Sequence, residues 1–445
     1  MSGRARSSAS WTDSSRPREG GQPGIRAPAG GTARGPATGM GRERAKPLCS
    51  RPHGDRTTVN DPLRLDRADR VLVLAPHPDD ETLATGGLLQ RALAAGAEVR
   101  VLFVTDGEDN PWAQRATEHR WAIGPADRER WGERRRGEAI AALECLGVSR
   151  WQTGFLGYPD QGIHRLLLDG DDDLIETLTG EIARVDPTLL VAPALEDLHP
   201  DHSALAVFVR LALARLAAGG RPRERQFVVH HDGPLPASAR DAVLTLTPEE
   251  RERKRLAILC HASQLRLRRR ALLGFADAQE LFLAPAAPGE HDARHPVRHA
   301  RVDGGVALLL ELERRGRPGA FGATDLWLLL ERPGHRLALA GRLPRRAGPV
   351  ELFERGGGSL VARGELRPRE RGLPDRVSLP ASLLSGWVQA YVKLERRFGF
   401  FDEAGWRALS CCAAAAETPE RLVPYAAPLR AREAAAARPA RRDRG

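Results

Sequence analysis

An α/β fold with a mostly parallel, doubly wound sheet, followed by a smaller β-rich, sandwich-like domain, is predicted by three observations. Short β-type apolar runs alternate with helical patterns between about residues 65 and 290, turn residues mark each change of period, and past residue 300 apolar runs continue without long helical patterns between them. VLVLA (71–75) reads as a strand. The helix expected over 81–95 contains Gly86 and Gly87, which let it approach the sheet closely at some cost in propensity. A second strand over 98–105 ends at the Asp106-Gly107 turn, and 108–127, rich in Trp, His and Asp, reads as a long loop. A helix over 128–146, a short strand over 151–156, a helix over 173–184 and a strand over 188–192 follow. Asp201 is placed to cap a helix running to about 216; a strand over 226–230 and a helix over 248–263 close the unit. Beyond it, VALLLELE (306–313), DLWLLLE (325–331), HRLALAG (335–341), ELFE (351–354), SLVARGEL (359–366) and WVQAYVKLE (387–395) are separated by Gly, Pro and Arg, the spacing of a β-sandwich or a related domain. Trp327, Trp387 and Tyr391 read as core rather than as a carbohydrate platform, and no motif assigns this domain a role.

The ends differ from the body. Residues 1–64 hold 12 Arg/Lys against 5 Asp/Glu and residues 430–445 hold 6 against 2, so the tails carry the formal charge of +10 and the body is close to neutral. Basic character confined to tails argues against nucleic-acid binding by the core. Gly, Pro, Ser and Arg dominate the N-terminal segment, which cannot bury enough apolar surface to offset its ordering entropy and is expected to be a disordered tail over 1–64. An Ala/Arg-rich tail is expected over 411–445. No signal-peptide apolar region and no run of 18 apolar residues is present, so a membrane span is not expected, and Met40 is a possible alternative start. Five cysteines, Cys49, Cys145, Cys260, Cys411 and Cys412, form no CxxC pair, which fits a reducing cytoplasm; Cys145 and Cys260 read as small buried hydrophobes. Oligomeric state is left open.

The chemistry concentrates in PHPDDE (76–81) and HPDH (199–202), each following a predicted strand and preceding a predicted helix. His77, Asp80 and His202 offer two imidazoles and a carboxylate to a divalent metal, and three protein ligands leave a position for water. Pro76 and Pro78 remove backbone donors and disfavour helix around His77, so this stretch is a fixed loop at the strand's end, where open α/β sheets place their ligands. Asp79 is then available as a general base. The same two-His-one-carboxylate set suits non-haem iron, so Zn2+ and Fe2+ both stand, although the first pair is HxxD rather than HxD. A catalytically silent glycan-binding protein is a third reading, against which the intact Asp79 argues.

Strand-PHPDDE-helix, a TDGE turn (105–108), the Arg135/Glu138 pair before LGV (146–148), HPDH, KRLAILCHASQ (254–264) and ELF (280–282), over about 68–285, resemble the PIG-L/LmbE-like de-N-acetylase family. The resemblance implies a Rossmann-like fold and a zinc-dependent hydrolase that removes acetyl from an N-acetylglucosamine conjugate, a small-molecule or glycoconjugate substrate whose aglycone the sequence does not identify. It implies that His199 acts as a second catalytic residue, an imidazolium that stabilises the oxyanion and supplies a proton to the amine, or else as a partner of the ligands. Arg135 resembles an arginine that meets sugar hydroxyls or phosphate, with a solvated helix face as the alternative, and Asp160 in GYPDQG is a candidate for binding sugar hydroxyls. Asp201 is expected to hold a ligand histidine by its second ring nitrogen, and Glu81 to be structural. One departure is visible: some members place Tyr two positions before the first His of HPDH, where this chain has Asp197.

Overall fold

The computed structural model describes residues 63–216, 221–233, 240–289, 295–313, 324–368, 373–396 and 401–411. Apart from residues 63–64 and 411, the two expected tails lie outside these, as do Met40, Cys49 and Cys412. The first part runs β1 (Arg70–Ala75), α1 (Asp80–Ala94), β2 (Glu98–Thr105), α2 (Pro111–Glu118), α3 (Pro125–Leu146), β3 (Thr153–Tyr158), α4 (Ile163–Asp169), α5 (Asp173–Val185), β4 (Leu189–Pro193), α6 (Pro200–Arg215) and β5 (Arg223–Phe227), then β6 (Ala242–Thr245), α7 (Pro248–Cys260), α8 (Ala262–Leu273) and β7 (Gln279–Phe282).

Strands β1 to β5 form one parallel sheet in the order β3-β2-β1-β4-β5. β1 is central, and its uninterrupted apolar run follows from helices covering both faces. Its side chains alternate between two cores: Val71, Val73 and Ala75 pack with Leu88 of α1, Leu143 of α3 and Ile258 of α7, while Leu72 and Leu74 pack with Leu178 of α5 and Leu205 and Phe208 of α6. This is the doubly wound arrangement read from the β–α alternation.

Three details differ from expectation. The loop expected over 108–127 contains α2, started by Asn110, whose side chain accepts from the Ala113 N–H, and by Pro111 at its first position; both are helix-start signals that the polar composition masked. The closing helix is two helices, broken at His261 (φ −77°, ψ 53°). The last parallel strand is Arg223–Phe227 rather than 226–230, so His230 lies past the strand's carboxyl end.

Gly86 and Gly87 bring α1 against α7 and β7 rather than against the sheet: a Cβ on Gly87 would lie 2.2 Å from Leu246 and 3.1 Å from Glu280, and one on Gly86 3.0 Å from Lys254. The fully buried Glu280 accepts from the backbone N–H groups of Gly87 (2.6 Å) and Leu88 (2.9 Å) and from Lys254 Nζ (2.7 Å). Glu280→Ala strands the buried Lys254 charge and two helix N–H groups and is expected to cost about 3–5 kcal/mol, read as a lower urea midpoint with unchanged slope.

The remaining strands are β8 (Val297–Asp303), β9 (Ala307–Leu312), β10 (Thr324–Arg332), β11 (His335–Arg342), β12 (Gly348–Glu354), β13 (Leu360–Arg367), β14 (Asp375–Pro380), β15 (Gln389–Arg396) and β16 (Arg407–Leu409). In place of the two stacked sheets of a sandwich they form one antiparallel sheet, β16-β15-β10-β11-β12-β13-β14-β9-β8. Consecutive hairpins from β10 to β14 keep neighbours in one ladder, and the sheet curls over Val297, Leu310, Leu328, Leu352 and Val392. Arg407 of β16 donates to the carbonyls of Val297 and Arg298 on β8, joining the two edges into a near-barrel.

The outer face of this sheet is not solvated where it meets α6. Leu329, Ala338, Tyr391 and Trp406 belong to the same apolar cluster as α6, which explains why α6 is apolar nearly all round. Arg336 of β11 adds an ion pair to Asp172 (2.6 Å) and lies 5.7 Å over the Phe208 ring.

Candidate active site

β1 and β4 are adjacent, and between them the strand order reverses; the loops leaving their carboxyl ends therefore face one crevice. Thr105, at the end of β2, donates from its N–H (3.0 Å) and Oγ1 (2.9 Å) to the Pro76 carbonyl, fixing the first loop. Asp80 then opens α1, where a carboxylate meets the positive end of the helix dipole. In the second loop His199 caps α6 by accepting the Asp201 N–H at Nδ1 (3.2 Å), Pro200 takes the first helical position, and His202 follows in the first turn.

The two loops bring three donor atoms together. His77 Nδ1 lies 3.2 Å from Asp80 Oδ2, His202 Nε2 lies 3.1 Å from the same oxygen, and the two ring nitrogens are 3.2 Å apart. A tetrahedral ion with ligand bonds of about 2.0–2.1 Å spaces its ligands by roughly 3.3 Å, so this triangle fits a divalent metal. Both rings are held from behind. His202 Nδ1 lies 3.1 Å from Asp197 Oδ2, and His77 Nε2 faces Asp160 Oδ1 at 3.2 Å and Asp201 Oδ2 at 3.6 Å.

The electrostatics call for positive charge. Burial alone would lower both histidine pKa values, but Asp160, Asp201 and Asp80 raise that of His77 well above its usual value, and Asp197 and Asp80 push His202 up to about 9. Burial likewise opposes ionisation of Asp80 and Asp197, yet His202 and the other histidines hold both well below the usual carboxylate range. A divalent cation satisfies the same field that otherwise protonates the rings.

Asp79 stands beside the triangle at φ 157°, ψ −29°, a backbone conformation that L residues seldom adopt. Its N–H donates to Glu81 Oε2 (3.0 Å) and its Oδ1 accepts from Arg135 Nη2 (3.1 Å). Burial raises its pKa, with Arg135 opposing.

Residues 72–213, which contain both loops, match the family model described as PIG-L: GlcNAc-PI de-N-acetylase. The chain carries a PIG-L family domain. Among its curated relatives, the 1D-myo-inositol 2-acetamido-2-deoxy-alpha-D-glucopyranoside deacetylase of Mycobacterium avium is 35% identical over 146 residues, 30% of this chain and 47% of the relative. That of Gordonia bronchialis is 35% identical over 177 residues, 35% of this chain and 60% of the relative. The chain thus spans about half the length of the curated relatives it matches. Among solved structures, the antimicrobial reagent A40926 pseudoaglycone deacetylase Dbv21 is 26% identical and covers 50% of this chain and 100% of its own, with a TM-score of 0.37.

Within the PIG-L domain the residues singled out from sequence converge, with several changes of part. Arg135 is neither a solvated residue nor open to a sugar: it is buried, donates to the carbonyls of Gly107 (3.0 Å) and Pro78 (2.8 Å), and holds Asp79. Gly107 (φ +66°) makes room for it, since a Cβ there would lie 2.1 Å from Arg135 Nη1. Asp160 is buried against His77 and accepts the Asp109 N–H (2.8 Å), so its contacts are with a ring nitrogen rather than with solvent. Asp201 is the more distant of the two carboxylates facing His77, and its Oδ1 accepts the His164 N–H (3.1 Å). Glu81 carries the Asp79 backbone and faces His261 at 3.6 Å, a structural part as expected.

The imidazolium reading of His199 does not fit. Its Nδ1 accepts a backbone N–H, and burial together with the neighbouring His77, His202 and His230 holds its pKa well below the ordinary value. With Nδ1 accepting, Nε2 is the nitrogen left to donate. Two residues escaped the sequence reading. Asp197 accepts from His202 and from the N–H groups of His199 (2.9 Å), Val229 (2.8 Å) and His230 (3.2 Å), and His230 has its ring 4.8 Å from that of His202. Asp197 was visible only as a missing tyrosine, and His230 was hidden by the three-residue offset of β5.

Proposed function

We propose that this protein is a metal-dependent de-N-acetylase that hydrolyses the N-acetyl group of an N-acetylglucosamine-type conjugate to a free amine and acetate, with zinc as the resident ion and the cytoplasm as its compartment. The observation that carries the reading is the His77–Asp80–His202 triangle with the buried carboxylate of Asp79 beside it. A base at that position has work in hydrolysis and none in pure binding, and an iron oxygenase has no need of it. The substrates named for the curated relatives, acetamido-glucopyranosides of myo-inositol, support a pyranosyl acetamide as the substrate class. The strand order 3-2-1-4-5 supports the Rossmann-like description. Among the described residues no helix is long and apolar enough to cross a membrane.

His77 through Nδ1, Asp80 through Oδ2 and His202 through Nε2 would hold the ion, which when bound supplies Lewis acidity toward a carbonyl and acidifies water. Asp79, pinned through Oδ1 by Arg135, takes the proton of the attacking water and returns it to the departing amine. His199 donates its Nε2–H to the oxygen that gains charge at the tetrahedral stage. Asp197 and Asp160 orient the two ligand rings. The test is release of primary amine and acetate in equal amounts from a panel of N-acetylglucosamine conjugates by the zinc-loaded protein. Metal-replete protein that releases neither from any conjugate, or that consumes oxygen when loaded with iron, overturns the reading.

A further inference from the structure

We infer that Phe401, supplied by the segment between β15 and β16, forms a wall of the substrate pocket and packs on the apolar face of the pyranose; this rests on the de-N-acetylase reading. The Phe401 ring lies 5.0 Å from that of His230 and 6.0 Å from that of His199, whose own centroid is 4.7 Å from that of His77 and 4.8 Å from that of His202. While touching two site histidines, Phe401 keeps 43% of its surface exposed. An aromatic ring at the edge of a polar, histidine-lined site is the side chain that binds the C–H face of a sugar.

The placement is built rather than incidental. The Asp402 N–H donates to the carbonyl of Leu198 (2.9 Å), the residue before His199. Gly405 presses on the loop between β4 and α6 so closely that a Cβ on it would lie 1.7 Å from the Leu195 carbonyl oxygen and 2.8 Å from that of Asp197. Asp402 is also paired with the fully buried Lys393 of β15, and His295 Nε2 lies 3.1 Å from the Gly405 carbonyl oxygen. The near-barrel thus reaches the catalytic loops through one docked segment and completes the site that the parallel sheet begins.

The test compares Phe401→Leu, which keeps apolar packing on His230, and Phe401→Trp with the unaltered zinc-loaded protein. The probes are p-nitrophenyl 2-acetamido-2-deoxy-glucopyranoside and the acyclic amide N-acetylethanolamine, with calorimetric binding of the deacetylated p-nitrophenyl glycoside measured alongside. Phe401→Leu is expected to raise KM for the pyranoside and weaken binding of its product about tenfold, with kcat within about twofold, zinc content unchanged and the acyclic amide unaffected; Phe401→Trp is expected to restore the affinity. Unchanged KM and binding in Phe401→Leu overturn the inference, as does an equal loss on both amides with falling zinc content, which marks a structural residue. A protein that binds the glycoside through Phe401 but releases no amine from either probe sinks the hydrolase reading and leaves the pocket wall standing.

Discussion

His202→Ala is expected to leave less than about a tenth of the wild-type metal and no measurable turnover. The ring is fully buried and joins three groups: Nε2 sits 3.1 Å from Asp80 and 3.2 Å from His77, and Nδ1 sits 3.1 Å from Asp197. Truncation removes one of three donors and strands Asp80 and Asp197, two buried carboxylates that depend on that imidazole for their low pKa. His77→Ala and Asp80→Ala are expected to behave alike, whereas Asp197→Asn keeps all three donors and is expected to weaken metal binding only by about 10–100-fold. Metal content per chain, measured on each purified variant, decides the matter: stoichiometric metal in all three alanine variants would falsify the triangle as the ligand set.

Asp79→Asn is expected to keep metal and fold while activity drops about 10²–10⁴-fold, the usual worth of a general base. Turnover near that of the wild type would reduce Asp79 to a helix-start residue. The pH dependence follows from the same carboxyl. Burial raises its pKa and Arg135 opposes the rise, so activity, read as the acid limb of kcat/KM, falls as pH drops through the titration of this carboxyl and the base is lost. Removing the cation disfavours the charged form, so Arg135→Gln moves the acid limb to higher pH. A limb that stays in place would show that the titrating group is not Asp79.

Much of the site is legible locally because its ligands sit in two short motifs, each at the end of an apolar strand and the start of a helix. PHPDDE and HPDH carry their own geometry: proline fixes the loop, Asp80 opens α1 and His199 caps α6. The partners of those ligands are less legible. Asp197 reaches His202 from five positions earlier through the turn of the β4–α6 loop, and Asp160 meets His77 from 83 positions away. Arg135 matched a family arginine in sequence, yet its direction, inward to Asp79 rather than outward to a sugar, is set by the 28-residue return from Gly107 on the neighbouring turn.

From the sequence alone come the parallel α/β alternation and the two motifs that carry His77, Asp79, Asp80 and His202, all consequences of local period and spacing. Tertiary structure decided the rest: that the β-rich strands make one curled sheet, that α6 is buried between two layers, that His199 turns Nδ1 to a backbone N–H, and that Phe401 stands at the histidines. Hydrophobic periodicity says which face of a strand is buried but not against what, because burial is non-directional. Hydrogen bonds and ring contacts between residues far apart in sequence then choose the partner.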